Sequence, residues 1–67
     1  MNDTSGRYSI YINDVARLAN VQYRAARRIL KKIRMHYNKP PRSLVSITEF
    51  CDFMQLREDE VRRVLGV

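Results

Sequence analysis

Apolar residues recur along this chain with two alternating periods, and the change of period marks its elements. From Arg7 to Ile12 (RYSIYI), polar residues alternate with apolar or aromatic ones, the pattern of a short extended segment. From Ile12 the spacing becomes helical: Val15, Ala16, Leu18 and Ala19 fall on one side, and Asn20 interrupts as a turn residue. A longer helix is predicted from about Gln22 to about Tyr37. Asn38-Lys39-Pro40-Pro41 ends it, because Pro40 disfavours the helical state at Lys39 and neither proline has an N–H to donate. The rhythm then restarts. Ser43 to Ile47 (SLVSI) is a second extended segment, and Ser46 with Glu49 has the spacing of a capping box that starts a helix at Ile47. Phe50, Cys51, Phe53 and Met54 form its apolar face. A break near Gln55 precedes a last helix, roughly Glu58 to Leu65, with three acids at its positive end and Gly66 suited to its C-terminal cap.

The second half repeats the first. When Tyr8–Leu30 is laid over Ser43–Leu65 without gaps, Ile12/Ile47, Arg27/Arg62, Arg28/Arg63 and Leu30/Leu65 are identical. Apolar positions coincide at Ile10/Val45, Val15/Phe50, Ala16/Cys51, Leu18/Phe53, Ala19/Met54, Val21/Leu56, Ala26/Val61 and Ile29/Val64. The expected fold is therefore an all-α single domain of four helices, arranged as two helix-turn-helix-like units with short extended lead-ins. Residues 1–6 are a flexible N-terminus, 7–38 a basic unit, 39–42 a Pro-rich hinge and 43–67 an acidic unit. Residues 12–30 and 47–65 should superimpose.

Length and composition narrow the function. The chain has 67 residues, room for one small domain with a marginal core. It is 45% hydrophobic and 30% charged, which is globular rather than disordered. Net charge is +6, which favours acidic partners such as nucleic acid. No apolar run approaches the ~18 residues of a membrane span, and no signal peptide is recognisable. The single cysteine cannot form an internal disulfide, and no Cys/His cluster, glycine-rich phosphate loop or catalytic triad is present. The expectation is a cytoplasmic, nucleoid-associated protein that is not an enzyme and uses neither metal nor cofactor.

Charge is divided unequally between the copies. Residues 8–30 set four arginines against Asp14, whereas residues 43–65 set Arg57, Arg62 and Arg63 against Glu49, Asp52, Glu58, Asp59 and Glu60. On a helix over 22–37, Ala26, Ile29, Leu30, Ile33 and Tyr37 share one face. Arg24, Arg27, Arg28 and Lys31 gather opposite, with Lys32 and Arg34 flanking them. No acid occurs between Val15 and Leu44, so these cations repel one another unless a partner outside the chain meets them. The acids of the second copy, by contrast, would be repelled by phosphate, which suits a half that completes the core. Of the tyrosines, Tyr23 projects from the basic face, while Tyr8, Tyr11 and Tyr37 are expected to cover the core. His36 reads as a surface residue, and Cys51 as a buried, inert thiol.

The stretch IYINDVARLANVQYRAARRIL resembles the bacterial helix-turn-helix, particularly that of MerR-type regulators and phage excisionases. The resemblance lies in Ile12, then Asp14-Val15-Ala16, then Leu18-Ala19 before the Asn20-Val21 turn, and Ile29-Leu30 closing the second helix. Val15, Ala19, Val21, Ala26 and Ile29 would fill the angle between the helices, with Ala16 small beneath the crossing. The chain departs from that pattern at Asn20, where glycine is favoured, and at Gln22, where Ser or Thr is usual. NKPPRSLVSI also replaces the expected β-hairpin wing with at most one strand and another helix.

The resemblance implies sequence-specific binding of double-stranded DNA, with the second helix in the major groove. It implies Gln22, Tyr23 and Arg24 at base edges, with Arg27 and Arg28 next, and Lys31, Lys32 and Arg34 at phosphates. Arg7, Lys39 and Arg42 would extend the phosphate track. Such a protein would serve as a small transcriptional regulator or recombination accessory factor in bacteria or phage, as a possible homodimer. The rival readings are an RNA-binding module gripping phosphates with the same face, and a protein-interaction adaptor using the acidic half.

Overall fold

A computed structural model describes residues 9–67 of the protein. The expectations placed on residues 1–6, on Arg7 and on Tyr8 lie outside the described residues. The chain runs β1 (Ser9–Ile10), α1 (Ile12–Ala19), α2 (Tyr23–His36), β2 (Val45–Ser46), α3 (Ile47–Met54) and α4 (Glu58–Leu65). The fold is thus mostly helical with a small two-stranded sheet. Among the described residues no helix is long and apolar enough to cross a membrane.

The two extended segments do more than lead into helices, because they pair with each other. β1 and β2 are antiparallel, with Ser9 opposite Ser46 and Ile10 opposite Val45. Each segment's alternation is legible in the sequence, but its partner, 35 positions away, is not. The pairing also corrects the expectation for Tyr11. Ile10 is only 2% exposed, and since successive strand residues face opposite ways, Tyr11 is turned outward and is 50% exposed.

The 35-residue repeat extends to helix bounds and ends. α1 and α3 each have eight residues and begin at Ile12 and Ile47. The Asp14 carboxylate accepts the Tyr11 backbone N–H at 2.9 Å, and the Glu49 carboxylate accepts that of Ser46 at 2.9 Å. Ser46 completes a capping box, its hydroxyl accepting from the Glu49 N–H at 2.9 Å. The turns that follow have the same backbone: φ 55 and ψ 50 at Asn20, φ 61 and ψ 46 at Gln55. α2 and α4 then start at Tyr23 and Glu58. Packing follows the same logic, since α1 contacts both α2 and α4, and α3 contacts both α4 and α2.

The copies diverge in the length of their second helix. Gly66, at φ 78, stops α4, whereas Lys31 stands in its place and lets α2 run on to His36. α2 therefore packs along more of α1 than α4 does along α3.

Every element contributes to one core. Ile10, Val15, Ala26, Leu30, Ile33, Val45, Ile47, Phe50, Cys51 and Val61 are all buried. Phe50 is the largest fully buried side chain and occupies the position that Val15 holds in the first half. Truncating it to alanine would leave a cavity and lose about 3–5 kcal/mol, a large share of the stability available to so small a domain.

All four helices end in the same left-handed lock. Asn20, Asn38, Gln55 and Gly66 have positive φ. In each case the following N–H reaches a carbonyl five residues back: Val21 to Ala16, Lys39 to Arg34, Leu56 to Cys51 and Val67 to Arg62. Glycine takes this conformation freely and asparagine tolerates it, but a glutamine is strained there. Replacing Gln55 with glycine should therefore stabilise the protein by about 0.5–1 kcal/mol, while Asn20→Gly should be near neutral. The urea midpoints of the two variants will test this ordering.

Candidate nucleic-acid interface

α2 differs from the other helices at its N-terminus. α1 has Asp14 in its first turn, α3 has Glu49, and α4 has Glu58, Asp59 and Glu60; α2 has no acid there. Like the N-caps of α1 and α4, its N-cap, Gln22, makes no side-chain hydrogen bond to the first turn. The positive end of the helix dipole is thus reinforced by Arg24 instead of being offset. Gln22, Tyr23 and Arg24 are all exposed at this tip, Tyr23 by 57%.

Behind the tip the helix divides cleanly. Ala26, Leu30 and Ile33 are buried, and Ile29 and Tyr37 pack against the core. Arg24, Arg27, Arg28, Lys31 and Lys32 are exposed. Arg24, Arg27, Arg28, Lys31 and Arg34 form one wall of an open groove of about 450 Å³, faced by Ile12, Pro41 and Arg42. No acid lines it. Lys32 and Arg34 lie roughly 80° to either side of Arg24 around the helix. The 39–43 segment folds over the Arg34 side only, so Arg34 is half-buried and Lys32 stays open to solvent.

That covering segment contains a tight turn. The Ser43 N–H donates to the Pro40 carbonyl at 3.2 Å, with Pro41 second in the turn and Arg42 third at φ 69. Proline followed by a residue of positive φ is the pattern of a type II turn, in which glycine or asparagine usually takes the third place. Lys39 is held internally: its ammonium lies 3.0 Å from the Glu49 carboxylate and donates to the Leu44 carbonyl at 2.8 Å. It therefore ties the turn segment to α3 at the end of the groove.

Burial alone would raise the pKa of the Glu49 carboxyl. The Ser46 N–H and the Lys39 ammonium outweigh that effect and hold it below its ordinary value of 4.5.

Most acids of the second half are engaged within the protein. Glu58 accepts from the Thr48 hydroxyl at 3.0 Å and pairs with Arg62 at 3.1 Å one turn on. Asp59 pairs with Arg57 at 3.2 Å. The Tyr37 hydroxyl donates to Asp52 at 2.6 Å, and this bond, with some desolvation, pushes its pKa up to about 12. Burial, and then Glu58, push the Cys51 thiol up against a partial opposing pull from Arg62, so the thiolate is disfavoured. The exposed His36 ring meets Tyr37 and Phe53 edge-on, with centroids 4.8 and 5.3 Å away. Among the described residues no group of His, Cys, Asp and Glu is placed to hold a metal ion.

Helical periodicity is thus enough to gather the α2 cations on one face, but it does not reveal Ile12, Pro41 or Arg42 facing them. Pro-Pro-Arg signals a turn without saying which way it folds. Comparison of this chain with family models, curated proteins and solved structures gives no match.

The Lys39–Glu49 pair makes an acid-pH prediction. Because the Glu49 pKa is depressed in the fold, its contribution is present above about pH 4.5 and is lost as pH falls through the folded value. Glu49→Gln should therefore lower the melting temperature at pH 6 and flatten its fall between pH 5 and 3. Parallel melts of wild type and variant across that range check it. A variant curve parallel to wild type would show that the pair contributes nothing.

Proposed function

We propose that this protein binds double-stranded DNA by laying α2 in the major groove, with α1 and α2 acting as a helix-turn-helix. Its role would be that of a small transcriptional regulator or recombination accessory factor. The observation that carries this reading is the cationic face of α2, which has no acid on it, at its N-terminus or across the groove it lines. Fourteen residues give α2 a length of about 21 Å. A helix with its side chains is roughly 10–12 Å across, which suits a B-form major groove about 12 Å wide.

In this pose the exposed tip supplies Gln22, Tyr23 and Arg24 to base edges. Glutamine suits adenine, and arginine suits guanine through paired hydrogen bonds. Arg27 and Arg28 follow, and Lys31 and Lys32 reach phosphates. Two copies on half-sites about one DNA turn apart would extend the few base pairs one helix can read. The deep, narrow major groove of A-form RNA does not admit a helix this way, so duplex RNA is the natural comparison.

Binding curves on a duplex selected from a random pool, on random DNA and on duplex RNA at several salt concentrations test the reading. Arg24→Ala should cost about 1–3 kcal/mol and relax preference at one position. Lys31→Ala should weaken binding to every duplex alike and lower the salt slope by about one unit. Glu60→Gln is a cleaner control than changes at Glu58 or Asp59, whose carboxylates hold Thr48, Arg62 and Arg57; it should leave affinity unchanged or slightly higher. Equal affinity for DNA and RNA, or indifference to Arg24 and Lys31 together, would refute the proposal.

A further inference from the structure

The groove beside α2 also contains side-chain donors that the protein leaves unused. Among the described residues, the buried side-chain polar atoms with no hydrogen-bond partner are Arg34 Nε, Arg34 Nη1 and Ser43 Oγ. They are not scattered. Arg34, Arg42 and Ser43 together line the inner recess of the groove, where it meets the β1–β2 sheet, and no acid lines that recess. Buried polar groups are nearly always satisfied, and leaving two nitrogens of a half-buried guanidinium unpaired is unfavourable. Arg42 adds a second oddity, a long cationic side chain at a positive-φ turn position where glycine would be unstrained.

We propose that Arg34, Arg42 and Ser43 form a seat for one phosphate group. The unpaired Nε–H and Nη1–H lie on different edges of the Arg34 guanidinium, so the anion takes one of them as a charge-assisted hydrogen bond. The Ser43 hydroxyl supplies a second donor, and Arg42 closes over the anion from the turn. This rests on the nucleic-acid reading in one respect: the occupant is a backbone phosphate of the bound duplex. The seat fixes the depth and register of α2 in the groove without reading sequence. Arg34 is then a specific anchor, unlike the solvent-exposed Lys32 on the opposite flank.

Four full-length variants, Arg34→Met, Arg34→Lys, Arg42→Gly and Lys32→Ala, test this with two readouts. The first is duplex affinity. Arg34→Met and Arg42→Gly should each lose about tenfold or more, Arg34→Lys should lose severalfold although its charge is kept, and Lys32→Ala should lose less. The second is thermal stability in chloride and in inorganic phosphate at matched ionic strength. Arg34→Met and Arg42→Gly should melt no lower than wild type in chloride, because one removes an orphaned charge and the other relieves the turn. Phosphate should raise the wild-type and Lys32→Ala melting temperatures more than those of the two seat variants.

If wild type binds duplex and Arg34→Met binds it equally well, the seat is wrong and the proposed function stands. If wild type ignores duplex but shows Arg34-dependent stabilisation by phosphate, the seat stands with a free phosphate as its ligand, and the proposed function falls. Arg34→Met and Arg42→Gly both melting lower in chloride would assign these arginines a structural role and overturn the seat. Loss of both duplex binding and phosphate stabilisation in wild type would overturn both proposals.

Discussion

The contact on which this fold depends is the meeting of Ile10 with Val45. Helices of eight residues are too short to persist alone, and strands of two residues are shorter still. Each half therefore needs the other to bury its apolar face. The β1–β2 pairing brings the two extended segments side by side, and Ile10 and Val45 stand opposite each other at equivalent positions of the repeat. From there α3 delivers Phe50 and Ile47 to the centre, and α2 closes over them with Leu30 and Ile33. Together with the packing of α1 on α4 and of α2 on α3, it joins two amphipathic hairpins, each too small to hold a core alone.

The same contact allows α2 to be a poor helix by local standards. It lacks an acidic first turn, lacks a side-chain N-cap and gathers like charges along one face, all of which oppose helix formation. Its buried face outweighs these defects. The second copy shows the opposite arrangement of charge: α4, which also lacks a side-chain N-cap, has three acids at its N-terminus, ion pairs with Arg57 and Arg62, and a glycine stop. Electrostatically, α4 is built to satisfy itself and α2 is not. That contrast between two elements of one repeat is what the proposed duplex contact rests on.

Most of the helical framework is legible in the sequence because its signals are local. Ser46 and Glu49 mark a helix start, Asn20 and Gly66 mark ends, and periodicity separates Ala26, Leu30 and Ile33 from the arginines. Features that depend on distant residues are not legible. Nothing in RYSIYI announces SLVSI as its strand partner, so the outward turn of Tyr11 is hidden. The burial of Arg34 depends on which flank of α2 the Pro-Pro-Arg turn covers, and that follows from where β2 must go to meet β1. Lys39 reads as another free cation unless Glu49, ten residues on, is known to come within its reach. The cationic face is therefore written in the sequence, and the recess at its inner edge is not.

The separation of Ile10 from Val45 along the chain has a consequence for synthesis. Closing a loop of 35 residues costs about 3 kcal/mol in chain entropy before any contact repays it, whereas the turns at Asn20 and Gln55 close almost at once. Chain entropy therefore favours the helix pairs forming before the strand contact. On the ribosome the delay has a definite length. Ile10 emerges well ahead of Val45, and at roughly 5–20 residues per second the gap is about 2–7 s. From the emergence of residue 38 until that of Leu65, the basic half is outside without its acidic twin.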